Sequence, residues 1–483
     1  MSLSHLPFEL LKEIFSHLDN QDERHHADNG YPTLCALALT CRRVSDVAVN
    51  TLYADIELMF NGRDAKDVER MILLNRSCRE NPSIVDRILY SKIHCSFDDA
   101  AEAYNEFLDH LAKSTSLTTL KSEFYGKWTA LQALYNYRER SFAQVRHLEI
   151  GLCNIAAKEW YLPAEQATRL CELPSLEILT TYAPIGGFGT ESRPTATLAK
   201  LNHLHLFASR PVSAAVLESI LPRTPNMKCL QLSVPGTATE VNREVAKYAS
   251  MMGYDLDEPL CPAFYGELLA PVAASLKNLV IDTVNVKYPS HDGSRIDLSR
   301  FTNVTRLELS ASLFFDTGKT TASCAWSHEI GKCLPPRIER LHLLLDGDQG
   351  VFWSLGDMRT HARSKTFEEL WKQRLNTDHV DWLIHLLDRK RKDAASLKFI
   401  MIAEDPVADS DQNWRIVQWH MTDHLNTTAS EAGVELAMKL RVPRLFESSE
   451  FEMYEDSWEW GADGTVSYEE ENEAEELEYE IEE

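Results

Sequence analysis

Val145-Arg146-His147-Leu148-Glu149-Ile150 has apolar residues at its first, fourth and sixth positions, and seven further segments repeat that form. They are Leu173/Leu176/Ile178, Leu201/Leu204/Leu206, Met227/Leu230/Leu232, Leu276/Leu279/Ile281, Val304/Leu307/Leu309, Ile338/Leu341/Leu343 and Leu397/Ile400/Ile402. Their middle residues step by 28, 28, 26, 49, 28, 34 and 59 positions. In each segment the last two apolar residues are two positions apart, the spacing that puts both on one face of a strand. A single short strand cannot bury such a face, but a stack of them can. The step of 49 is close to two repeats with one degraded, and the step of 59 carries an insertion. Turn residues such as Pro222-Arg223-Thr224-Pro225 precede the strands, and a helix or loop returns the chain between them.

This spacing resembles that of leucine-rich repeats. Only the first unit extends further, with Cys153 and Ile155 where those repeats usually hold Asn or Cys and then Leu. The resemblance implies an irregular solenoid of parallel strands over residues 143–446. Residues flanking the inward pair would then face the concave surface. His147, Glu149, His203, His205, Phe207, Arg306, Glu308, Arg340 and His342 form this possible substrate face. For any one of them, an ordinary solvated sheet face is the competing reading.

Upstream, Leu6-Pro7-Phe8-Glu9-Leu10-Leu11-Lys12-Glu13-Ile14-Phe15-Ser16-His17-Leu18 has its apolar residues at helical spacing, with Pro7 suited to a first turn. Leu34, Leu37, Ala38, Cys41, Val44, Ala48 and Leu52 continue the apolar series. Leu6-Pro7-x-Glu9-Leu10-Leu11-x-x-Ile14-Phe15-x-x-Leu18 followed by Leu37-Ala38-Leu39-Thr40-Cys41-Arg42-Arg43-Val44 resembles an F-box. The closing Leu52-Tyr53-x-x-Ile56-x-Leu58 is similar to the ending common in fungal F-box proteins. Two departures stand out: Asp19 to Pro32 is a long charged connection, and Val44 occupies a place where many F-boxes carry a bulky aromatic. By matching to the family, Leu6, Pro7, Leu10, Leu11, Ile14, Phe15, Leu18, Leu37, Cys41, Arg42 and Val44 would form or support a face for a Skp-type adaptor. Which of them point outward stays open at this stage.

The whole chain therefore reads as α/β, with four parts: a helical F-box (1–58), a helical connector (59–142), a leucine-rich-repeat-like solenoid (143–446) and a disordered acidic tail (447–483). The connector reads as mostly helical, over Asp67 to Leu74, Asp98 to Leu111 and Trp128 to Tyr137, with Val85-x-x-Ile88-x-Tyr90 as a possible strand. Net charge is −25, of which the tail from Glu447 contributes 17 acidic residues and no Lys or Arg, leaving −8 for the rest. Nothing in that balance suggests nucleic-acid binding. No apolar run reaches membrane-span length and no secretory signal is read, so cytoplasm and/or nucleus is expected. Ten cysteines without a Cys-x-x-Cys pair read as free thiols, with no metal site and no cofactor.

Several motifs invite chemistry without the spacing it needs. Gly186-Gly187-Phe188-Gly189 lacks the third glycine of a dinucleotide loop. Asp346-Gly347-Asp348-Gln349-Gly350 has glycine where a calcium loop needs a third oxygen ligand. His291-Asp292-Gly293-Ser294 gathers triad residue types in one turn, whereas triads converge from distant positions. Glu368 to Lys392 reads as amphipathic helix with Leu370, Trp371, Leu375, Trp382, Leu383, Leu386 and Leu387 buried; its basic end, Arg389 to Lys392, reads as a solvated helix terminus. The chain is expected to be no enzyme. An F-box before leucine-rich-like repeats resembles the substrate receptors of SCF-type cullin–RING ubiquitin ligases, implying an adaptor partner and an unknown protein substrate. Alternatives are an F-box scaffold acting outside a ligase, or a repeat-domain enzyme with an unrecognised site.

Overall fold

Alternation along the strands fixes one buried and one open face, and a computed structural model of the chain shows how those faces are stacked. The structure describes residues 6–7, 10–11, 13–15, 31–60, 65–95, 101–124, 142–152, 162–182, 185–186, 197–206, 212, 214–237, 261–286, 292–315, 330–345, 377–393, 396–404, 414–418, 423–443, 459–460 and 466–467. They fall into two compact units, Met1–Val234 with Lys247–Asp255, and Pro235–Ala246 with Leu256–Glu483.

The first unit begins with helical residues 10–11 and 13–15, then α1 (Tyr31–Ala38) and α2 (Arg42–Ala54). Their apolar stripes close on one another: Leu11, Phe15, Leu34, Val44, Val47, Ala48 and Leu52 form a single buried cluster. From α2 the chain passes directly into β1 (Asp55–Phe60). There follow α3 (Ala65–Glu80), β2 (Tyr90–Cys95), α4 (Ala101–Leu111), β3 (Thr119–Phe124), β4 (His147–Leu152), α5 (Ala164–Cys171), β5 (Ile178–Thr181), β6 (His203–Leu206), α6 (Ala214–Ile220) and β7 (Cys229–Thr237). Strands β1 to β7 are parallel and pair in chain order. One inward row runs Ile56, Ser91, Leu120, Leu148, Leu179, Leu204, Leu230. The parallel arrangement needs the helical or looped crossovers that separate the strands in sequence.

The second unit holds α7 (Pro262–Leu269), β8 (Asn278–Val286), β9 (Arg306–Ser310), α8 (Ile330–Cys333), β10 (Arg340–Leu345), α9 (Thr377–Asp393), β11 (Phe399–Glu404), β12 (Trp414–Gln418), α10 (Asp423–Glu431) and β13 (Glu435–Pro443). Strands β8, β9, β10, β11 and β13 are parallel neighbours in that order, and β12 adds to β13 antiparallel. Their inward row is Leu279, Leu307, Leu341, Ile400, Leu436.

A backbone motif recurs at the strand entries of both units. The carbonyl just before one strand accepts N–H bonds at the start of the next: Thr118 to Leu89, Arg146 to Thr118, Glu177 to Arg146, Asn202 to Glu177 and Lys228 to Asn202. Thr305 to Lys277, Glu339 to Thr305, Lys398 to Glu339 and Glu435 to Lys398 repeat it in the second unit, at 2.8–2.9 Å.

Several expectations need correction. Residues 59–142 hold helices α3 and α4 as expected, but they also hold β2 and β3, which continue the sheet that β1 starts at Asp55 within the segment expected to be helical. Its strands escaped the pattern because serines occupy inward sites, giving Ile88/Ser91/Ile93 and Leu117/Leu120/Ser122, with both serines buried. Val85 lies in a 3-10 turn (Pro82–Arg87), and the strand begins only at Tyr90. The second sequence segment is slipped by three residues: Leu179 and Thr181 pair with Leu148 and Ile150, which puts Ile178 beside His147 on the opposite face. The tail carries an antiparallel bridge between Glu459–Trp460 and Val466–Ser467, where β-prone Trp460 and Val466 flank turn-type residues. Other tail positions, Trp128 to Tyr137, Cys153, Ile155 and the expected degraded repeat around 238–260 lie outside the described residues.

Candidate functional site

Within the N-terminal helices the structure separates the residues that hold the bundle from those it presents. Leu11, Phe15 and Val44 are buried in the cluster, while Leu6 and Leu37 pack partly against it. Leu10 is 45% exposed and Ile14 40%, although both lie on the same helical run as buried Leu11 and Phe15. Pro7, Cys41 and Arg42 are exposed as well. Leu39, in the turn after α1, is 89% exposed; it sits inside the F-box-like motif but was not among the residues expected to form the adaptor face. An apolar side chain left open beside a filled core is what a docking face requires. Leu18 lies outside the described residues.

The other face of the sheet carries the residues expected to bind substrate. His147, Glu149, His203 and His205 lie there in the first unit, and Arg306, Glu308, Arg340 and His342 in the second, each out of register with the inward rows. Phe207 lies outside the described residues. Neighbouring strands pair these side chains across the ladder. Lys121 Nζ is 2.9 Å from Glu149 Oε2, His94 Nδ1 is 2.9 Å from Glu123 Oε2, and His342 Nδ1 is 3.0 Å from Glu308 Oε2. The Arg340 guanidinium lies 5.9 Å from the Phe399 ring centroid, within cation–π reach. Gly151 sits opposite Glu123, whose Cγ would be 2.9 Å from any Cβ placed there, so the glycine leaves room for the carboxylate arm that meets His94.

Two of these side chains are more enclosed than a solvated face allows. Glu308 is buried against His342, and His205 is buried beside Thr180 Oγ1, 3.5 Å from its Nδ1. Around His205 the polar residues Thr180, Gln231 and Ser233 are buried too, and so is Cys229. Burial, then the positive fields of His203 and His147, push the His205 imidazole down to about 4. Burial also lowers His203, aided by Lys228, and lowers His147. Near neutral pH these three rings are uncharged.

The tempting motifs resolve into structural roles. Ser294 N–H bonds to Asp292 Oδ1 at 2.7 Å around Gly293 at φ 82°, an Asx turn, and Ser294 Oγ accepts the Ala263 N–H at the start of α7. Ile185–Gly186 forms a short bridge with Leu162–Pro163. His291, Gly187 to Gly189 and Asp346 to Gly350 lie outside the described residues. Trp382, Leu383, Leu386 and Leu387 of α9 are buried as expected, while Leu370, Trp371 and Leu375 lie outside the described residues. At the basic end of α9, Arg391 pairs with Glu431 at 2.8 Å. Among the described residues no helix is long and apolar enough to cross a membrane.

A family model described as F-box-like matches residues 3–58, spanning the N-terminal helices and most of β1. No curated protein matches the chain.

Proposed function

We propose that this chain is the substrate-recognition subunit of an SCF-type cullin–RING ubiquitin ligase. Its F-box-like region docks on a Skp-type adaptor, and its sheet, read as a leucine-rich-repeat-like solenoid, holds a target protein. The observation that carries this reading is the F-box-like match over residues 3–58 together with Leu10 and Ile14, which stay exposed while Leu11 and Phe15 beside them fill a core. The strand-entry hydrogen bond repeated along both units supports the solenoid part, because a stacked repeat reproduces its own backbone contacts at every step. No chemistry is assigned to the chain itself. By holding target and adaptor on one body, the receptor raises the effective concentration of a target lysine near the conjugating enzyme. Action in the cytoplasm or nucleus is part of the same proposal.

Leu10→Asp/Ile14→Asp is the variant that tests it, since both sites are open and the charges need not enter the core. Leu11→Asp would place a charge in the buried cluster and unfold it. Immobilised Skp-type adaptor is expected to retain the unaltered chain and to lose the double variant, with both equally folded by circular dichroism. A folded, unaltered chain that the adaptor does not retain overturns the reading. Adaptor binding without turnover of any captured protein would favour a scaffold acting outside a ligase.

A further inference from the structure

On the open face of the first unit's sheet, three side chains of metal-ligating types converge from two adjacent strands. His203 and His205 are two residues apart on β6, so both point to the same side, with ring centroids 6.0 Å apart and planes at 47°. Cys229 sits directly opposite His203 on β7. One ligand atom from each of the three lies within 4.8 Å of the others. A zinc-type site needs metal–nitrogen distances of about 2.0–2.1 Å and metal–sulfur distances of about 2.3 Å. Ligand atoms on such an ion are about 3.3–3.7 Å apart, so side-chain rotation of roughly an ångström closes the set without moving either strand.

The surroundings favour an ion over chance proximity. His203 Nδ1 is buried with no hydrogen bond among the described residues, and a buried polar atom left so is destabilising unless something satisfies it. Thr180 and Gln231 occupy the register positions on either side of His205, and both are buried, as polar groups orienting a metal ligand would be.

We infer that His203, His205 and Cys229 form a binding site for a thiophilic divalent cation of the zinc class. Two neutral imidazoles and one thiolate supply three ligands and leave the fourth coordination position open. Sulfur with nitrogen selects zinc, cobalt or copper over magnesium and calcium, whose ligands are oxygens. This inference is independent of the adaptor reading, since its ligands lie on β6 and β7 and its neighbours on β5 and β7, away from the N-terminal helices.

The test uses the full chain without a histidine tag, stripped by chelator and titrated with Co²⁺ as a spectroscopic probe. One equivalent is expected to bind and to raise a thiolate-to-cobalt charge-transfer band, which Zn²⁺ then bleaches and excess Mg²⁺ does not. Cys229→Ser should abolish the band. His203→Gln, at a half-buried position, should weaken binding by about tenfold or more while keeping the band. Cys261→Ser, at an exposed cysteine in the other unit, should change nothing. Absence of saturable binding, binding without the band, or a band that survives Cys229→Ser overturns the site. If Cys229→Ser fails to fold, His203→Gln decides: affinity equal to the unaltered chain overturns it.

Discussion

Ser122 shows how one side chain can hide a strand from its own sequence. It stands at an inward position of β3 where β4, β6 and β7 carry Ile150, Leu206 and Leu232 and β5 carries Thr181, and it is buried. Its hydroxyl is satisfied by the Tyr104 hydroxyl of α4 at 2.6 Å. Each group would be costly to bury alone, so the pair is an apolar position rewritten in polar atoms. Tyr104→Phe is therefore expected to destabilise the protein by about 1–3 kcal/mol in chemical denaturation, because Ser122 loses its partner. Adding Ser122→Ala should recover most of that loss. A single variant as stable as the parent would show that the bond contributes nothing.

At the scale of elements, the ends of helices and the turns into strands set the register. Helix α10 ends with Val434 N–H bonded to the Ala429 carbonyl at 2.9 Å and Gly433 N–H to Ser430 at 3.0 Å, with Gly433 at φ 65°. That is a Schellman end, and Val434 and Ala429, which its longer hydrogen bond joins, are both buried. It delivers the chain to β13 one residue later. Nothing lies within 4 Å of a Cβ at Gly433, so Gly433→Ala tests backbone conformation alone and should cost about 1–2 kcal/mol by thermal or urea unfolding. No measurable change would show that the turn relaxes freely. Similar i→i+3 turns place Val145, Leu176, Met227, Val304 and Ile338 before their strands. The turn at Leu176, from its N–H to the Leu173 carbonyl, marks Leu176 as the first apolar residue of its repeat. By spacing alone, Leu173/Leu176/Ile178 and Leu176/Leu179/Thr181 are rivals, and the all-apolar version is the wrong one.

For the molecule as a whole, the F-box-like region is no detachable module. Its last helix runs into β1 without an intervening residue, β1 pairs with β2 along six residues, and Arg87 Nη1 reaches back to Asn50 of α2 at 2.8 Å. Removing residues 1–60 exposes the edge of β2 and uncovers its neighbours, and a bare parallel edge invites association. A chain starting at Asn61 should melt well below the full chain and aggregate on heating. Equal melting temperatures would show that the region folds apart from the sheet.

Local pattern was enough to find much of this protein. The apolar helical stripes that supply Leu11, Phe15, Leu34, Val44, Ala48 and Leu52, the F-box-like order and seven of the eight strand registers were legible, because amphipathic spacing and apolar alternation survive in the sequence when the buried positions are apolar. Four parallel strands were not: β1 was absorbed into the F-box-like ending, β2 and β3 carry buried serines, and β13 begins after a glycine. Only the tertiary structure decided which residues of one helix face the core and which stay open, dividing Leu10 and Ile14 from Leu11 and Phe15. Only it brought Cys229 beside His203 and His205, for that contact depends on the pairing of two strands whose residues lie 26 positions apart in the chain. Helical and strand periodicities are properties of neighbours in sequence; a polar pair in a core or a cluster across a ladder exists only once distant segments have been set in register.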